Sequence, residues 1–143
     1  MQYTATALLA LFAATSVSAA PTVQARAADW TITSFKRTCN TANTSCTISF
    51  GIDTHLAPVT ACAYTVTGAA PVSRASTGPV TCGAYTVTSS WSGQFGDDAG
   101  FTTWAVADGA KKLIAFPAYA DKEIVNEAVV TPNKSFAVDA ISW

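Results

Sequence analysis

Cys46-Thr47-Ile48-Ser49-Phe50-Gly51-Ile52 decides the fold class. Cys46, Ile48, Phe50 and Ile52 fall on one face, and Thr47, Ser49 and Gly51 on the other. That period-two pattern is the mark of a half-buried strand. The same signature spreads outward in both directions. Trp30-Thr31-Ile32 opens an earlier strand, with residues 38–45 turning between the two. Cys62, Tyr64 and Val66 alternate with Ala63, Thr65 and Thr67, and Tyr85, Val87, Ser89 and Trp91 continue the theme. Residues 101–107 and 112–116 flank Asp108-Gly109, a dipeptide that tolerates positive φ and so marks a hairpin. Residues 136–143 supply a last strand. Thr, Val and aromatic residues, which suit pleated surfaces, recur throughout.

Turn formers punctuate these runs at residues 68–71, 77–79, 97–100 and 131–133, at the short intervals of a sandwich or barrel. Residues 121–130 are the one stretch with helical character, and Val129-Val130 argue for strand even there. Ala63-Tyr64-Thr65-Val66-Thr67 recurs as Ala84-Tyr85-Thr86-Val87-Thr88, each shortly after a cysteine. The simplest geometry pairs the two copies and ties them at one end by Cys62–Cys82. The expected fold is all-β: a single-domain antiparallel β-barrel or β-sandwich over residues 29–143.

Composition bounds the function. Of 143 residues, 50% are apolar and 12% charged, with a net charge of −1. A disordered tail needs the opposite balance. No basic surplus exists to release counterions from a nucleic acid, so no nucleic-acid partner is expected.

The first residues read as an address. No charged side chain precedes Arg26, residues 5–14 are nearly all apolar, and Val17 and Ala19 are small residues at the −3 and −1 positions of a cleavage site. The run is too short to span a bilayer, which needs about 20 apolar residues. Residues 1–19 are therefore expected to be a signal peptide, and residues 20–28 a flexible lead-in or short pro-segment. The exported product is expected to be extracellular, with no membrane span.

Cys39, Cys46, Cys62 and Cys82 in an oxidising compartment imply two disulfides with three possible pairings. Local closure favours Cys39–Cys46 and Cys62–Cys82, contributing about 2 and about 3 kcal/mol by chain entropy. No C-x-x-C occurs and His55 is the sole histidine, so a structural zinc site does not fit. Asn43-Thr44-Ser45 and Asn133-Lys134-Ser135 are glycosylation sequons set among turn formers.

Catalytic patterns are thin. A Ser-His-Asp triad would have to use His55, yet no G-x-S-x-G or other nucleophile elbow is present. Nine acids nominate no glycosidase pair. Asp97, Asp98, Asp121 and Glu123 sit in loop-like stretches that could converge on a calcium ion, although no D-x-D-x-D-G pattern supports it. Trp30, Trp91, Trp104 and Trp143 read first as core anchors, with Trp91 the candidate for exposed stacking on a sugar.

Several motifs resemble a known family. Trp30-Thr31-Ile32-Thr33-Ser34-Phe35, followed by Phe50-Gly51-Ile52-Asp53, is similar to the opening of fungal secreted proteins typified by the major Alternaria allergen. Cys62 and Cys82 sit where that family has its shared disulfide. The stretches at residues 89–96, 100–104, 116–119 and 129–136 resemble its protein-elicitor branch, so the likeness covers essentially the whole exported chain. It implies a compact β domain with no catalytic site and no cofactor. It further implies perception by plants, with hypersensitive cell death and an oxidative burst. The implied partners are a plant receptor or a thaumatin-like pathogenesis-related protein. The alternative is a binding module for a small phenolic ligand or glycan. The allergen's C-terminal disulfide and its dimer-forming cysteine have no counterpart here, so a monomer is expected. Asp53 and His55, in residues 53–60, and Trp91 and Gln94, in residues 89–100, are the expected recognition surface.

Overall fold

The computed structural model describes residues 27–142, so the expected leader, its cleavage site and most of the lead-in lie outside the described residues, as does Trp143. Ten strands follow in order: β1 (Trp30–Cys39), β2 (Ser45–Asp53), β3 (Thr60–Thr67), β4 (Thr77–Cys82), β5 (Tyr85–Ser92), β6 (Phe101–Asp108), β7 (Leu113–Ala115), β8 (Ala118–Ala120), β9 (Lys134–Phe136) and β10 (Val138–Ala140). Short 3-10 turns occupy Val72–Arg74, Asp97–Ala99 and Asp121–Glu123. One sheet runs β3-β2-β1-β9. The other runs β10-β7-β6-β5-β4, with β8 added beside β6. Every pairing is antiparallel. The sheets do not close on each other by hydrogen bonds, so the architecture is an open sandwich rather than a barrel.

The core sits between the sheets. Phe35 from the first sheet stacks on Tyr119 of β8 at 4.3 Å and meets Trp104 of β6 edge-on at 4.9 Å. Trp104 is buried, and its Nε1–H donates to the Tyr64 hydroxyl across the gap at 2.9 Å. That bond satisfies a polar atom whose burial would otherwise cost free energy.

Phe35 reaches this position through a bulge. Ile32 pairs with Ile52 and Arg37 with Ile48, but Ser34 and Phe35 together oppose Phe50. The extra residue resets the alternation, so Ile32, Phe35 and Arg37 all point toward the other sheet. Ser34 adopts φ 50°, and the Asn133 side chain accepts its N–H at 2.9 Å. Val130 N–H donates to the Phe35 carbonyl at 2.7 Å.

Both seams of the sandwich are joined covalently. Cys62 of edge strand β3 is bonded to Cys82 of edge strand β4. On the other side β9 and β10 are edge strands of opposite sheets, and Ala137 alone connects them. Cys39–Cys46 lies within the β1–β2 hairpin, where the two residues are direct register partners.

Several sequence expectations change. The repeated pentapeptides do not pair: β3 pairs with β2, and β5 with β4 and β6. The disulfide therefore staples two sheets, not two neighbouring strands. Residues 77–79 are not a turn but the start of β4. An edge strand tolerates proline, and the register shift between Thr77 and Val80 absorbs Gly78-Pro79. The expected last strand is two strands in two sheets. Residues 121–130 form only one 3-10 turn and then run beside β1, bridging Lys36 through Val129. β1 itself extends to Cys39, leaving a shorter turn than expected. The hairpin at Asp108-Gly109 is present, but the positive φ falls on Lys112 and Asp108 Oδ1 accepts the Lys111 N–H at 3.1 Å.

Candidate functional site

The two segments expected to form one recognition surface lie at opposite ends of the sandwich. Residues 53–60 leave β2 at the end where Trp30 meets Tyr85. Residues 93–100 connect β5 to β6 at the other end, beside Arg74 and the Cys39–Cys46 hairpin tip.

At the first end His55 is half exposed, with φ 63°. Asp53 Oδ1 accepts the His55 N–H at 2.8 Å, and the ring Nδ1 stands 3.6 Å from Asp53 Oδ2. Nε2 lies 2.8 Å from the Thr31 hydroxyl, which in turn bonds the Ser135 hydroxyl at 2.8 Å. Hydroxyl, imidazole and carboxylate are in the order a triad uses. Thr31 alternates with buried Ile32, however, so its hydroxyl sits on the outer face of the sheet. There the chain acts as a strut holding the loop and β9 to β1. Leu56 and Val59 are the apolar side chains this loop exposes.

At the second end Trp91 is half buried, unlike the fully buried Trp30 and Trp104. The Arg74 guanidinium covers its ring at 4.6 Å, and its Nε1–H donates to Asp121 Oδ2 at 2.9 Å. Gly93 and Gly100 are small because the indole presses on them: a Cβ at Gly93 would come within 2.4 Å of the ring. The freely exposed aromatic of this segment is Phe95, 71% exposed and stacked on Phe101. Gln94 is exposed beside it, its N–H donating to the Ser92 hydroxyl at 3.4 Å.

Three of the four calcium candidates are divided between two cations. Asp97 and Asp121 face Arg74 at 3.7 and 3.9 Å, while Glu123 pairs with Lys134 at 2.5 Å and accepts the Ala120 N–H at 2.7 Å. Asp98 stays in the exposed turn. Among the described residues no cluster of three or more potential metal ligands occurs. Of the two sequons, Asn133 is exposed, whereas Asn43 donates to the Ser73 hydroxyl at 2.8 Å and accepts the Ser73 N–H at 2.9 Å. A glycan at Asn43 would disturb that double tie.

The Lys134 hydrogen bond, opposed in part by burial, holds the Glu123 carboxyl below the ordinary value of 4.5. A carboxylate lowered in the fold contributes stability above its unfolded pKa, and that contribution is lost as pH falls through the lower folded value. Denaturant titrations below pH 4.5 should therefore show wild type losing more stability than Glu123→Gln. Parallel acid profiles for the two proteins would contradict the assignment.

Sequence reading missed Arg37 and Arg74, whose partners come from distant segments. Arg74 joins Trp91, Asp97 and Asp121. Arg37 lines an open cleft of about 560 Å³ with the asparagines of the hairpin tip. Neither arginine belongs to a recognisable motif.

Fold and surface together define a small disulfide-braced β-sandwich whose distinctive side chains gather at loop ends. Comparison with known families narrows the class. Residues 31–142 match the family described as Effector TSP1. A curated relative from Hypocrea virens (strain Gv29-8 / FGSC 10586), also named Effector TSP1, is 56% identical over 142 residues, covering 96% of this chain and 97% of the relative. The chain belongs to the Effector TSP1 family.

Proposed function

We propose that this protein is a secreted fungal effector that plants perceive as an elicitor, acting by surface recognition and without catalysis. The family match along nearly the whole chain carries the reading. The structure is compatible with it: the core is filled by aromatic side chains, and Phe95, Gln94 and the acidic turn at Asp97 and Asp98 project from one end. The partner class is a plant cell-surface receptor or a pathogenesis-related protein of the thaumatin-like kind, as the motif resemblance implies.

Infiltration of purified protein into leaves tests this. Native protein at micromolar dose should produce a peroxide burst and local cell death, and protein reduced and alkylated beforehand should not. An absent response to native protein, or an equal response to both forms, would overturn the reading.

A further inference from the structure

The Arg37 guanidinium is largely unspent. It carries five N–H donors, yet its described hydrogen bond is one, from Nη1 to the Ser73 carbonyl at 3.2 Å. The four ion pairs among the described residues leave it out. The bulge at Ser34–Phe35 turns it toward the interior, and burial pushes its pKa below the ordinary arginine value, with Asp121 pulling it partly back. A half-buried cation with open donors and no acid in direct contact is costly unless something polar meets it, and Asp121, whose carboxylate stands beside Arg74, offsets only part of that cost.

Arg37 lines both the open cleft and a small void between the sheets. The cleft walls are held rigidly. Asn40 accepts the N–H groups of Thr44 and Ser45, and Asn126 Oδ1 accepts the Cys39 N–H at 2.7 Å. Asn43 is tied to Ser73 as described above. Each amide nitrogen also spends one of its two donors within the protein, Asn40 on the Thr44 hydroxyl, Asn43 on the Ser73 hydroxyl and Asn126 on the Cys39 carbonyl, which leaves one N–H apiece for a ligand. Ile124 and Cys39 add a limited apolar patch. A fixed guanidinium suits a carboxylate, amides and hydroxyls suit sugar hydroxyls, and a small apolar patch suits the C–H face of a sugar ring.

We propose that this cleft binds an acidic sugar, a uronic acid or short uronide, through a charge-assisted pair between its carboxylate and Arg37. Glu127 also lines the cleft, its N–H donating to the Arg37 carbonyl at 3.1 Å, so its negative charge opposes an acidic ligand there.

The inference does not depend on plant perception, and binding measurements on the purified full-length secreted protein test it alone. Galacturonate, trigalacturonate and neutral galactose are titrated while the backbone and Arg37 Nε–H resonances are followed. The acids should give saturable shifts at the cleft, with galactose about tenfold weaker or more, the worth of a charge-assisted bond. A response from trigalacturonate alone would identify a polymer site, and from both acids a monosaccharide site; either supports the proposal. Arg37→Gln should abolish the preference for acid over neutral sugar. Glu127→Gln, an exposed change that leaves the core intact, should tighten acid binding about two- to fivefold by removing a like charge. No saturable shift with either acid, equal response to galactose, or weaker binding in Glu127→Gln would overturn the proposal. So would inorganic phosphate competing as well as galacturonate, which would mark a general anion site.

Discussion

Phe35→Ala should lower the unfolding free energy by about 3–5 kcal/mol, the range for deleting a buried aromatic ring. The ring is 2% exposed and touches Phe50 in its own sheet and Trp104 and Tyr119 in the other. It is thus the side chain through which the two layers grip each other. Alanine removes the contact from both sides, and the surrounding strands cannot collapse into the gap without shifting the bulge that placed Phe35 there. Urea denaturation followed by tryptophan fluorescence should show a lower midpoint with an unchanged slope. Val129→Ala, an exposed site, should move stability by less than about 0.5 kcal/mol and serves as the comparison. A loss at Phe35 of under about 1 kcal/mol would mean that the layers are held together elsewhere.

The second large effect concerns the crosslinks. Replacing Cys62 and Cys82 together by serine should cost about 3 kcal/mol, and replacing Cys39 and Cys46 about 2 kcal/mol. Sequence separations of 20 and 7 residues set that order by chain entropy. The structure widens the gap. Cys39 and Cys46 are already neighbours in a hydrogen-bonded hairpin, so its ladder survives their loss. β3 and β4 belong to different sheets, and the bond between them has no ladder behind it. Thermal melts should place the first variant about 10–20 °C below wild type, and clearly below the second. Equal melting temperatures for the two variants would remove the seam from the account of stability.

How much of this was legible in the sequence follows from what each signal measures. Period-two alternation is local, so β2, β3, β5 and the β6–β7 hairpin were readable from their own residues. Partner choice is not local. The pentapeptide repeat reports that β3 and β5 have similar surroundings, each with one face on the core, and says nothing of which strand lies beside which. β4 was hidden because Gly78-Pro79 looks like a turn unless the strand is known to be an edge. Ala137 gives no sign that the chain changes sheets there. The candidate surface suffered most. Trp91 and His55 were visible as residue types, but their placement at opposite ends depends on topology. Arg37 stands out only because a bulge two residues earlier reverses its direction.

The covalent closure of both seams has a redox consequence. In an oxidising exterior the two sheets are clasped at Cys62–Cys82 and hinged at Ala137. Inside a reducing cytosol the clasp would open while the hinge held. β3 and β4, already the outer strands of their sheets, would then lose their one covalent link, and each presents an edge on which another chain can pair. The clasp is thus the part of the fold that answers to the redox state of its surroundings, and the hinge the part that does not.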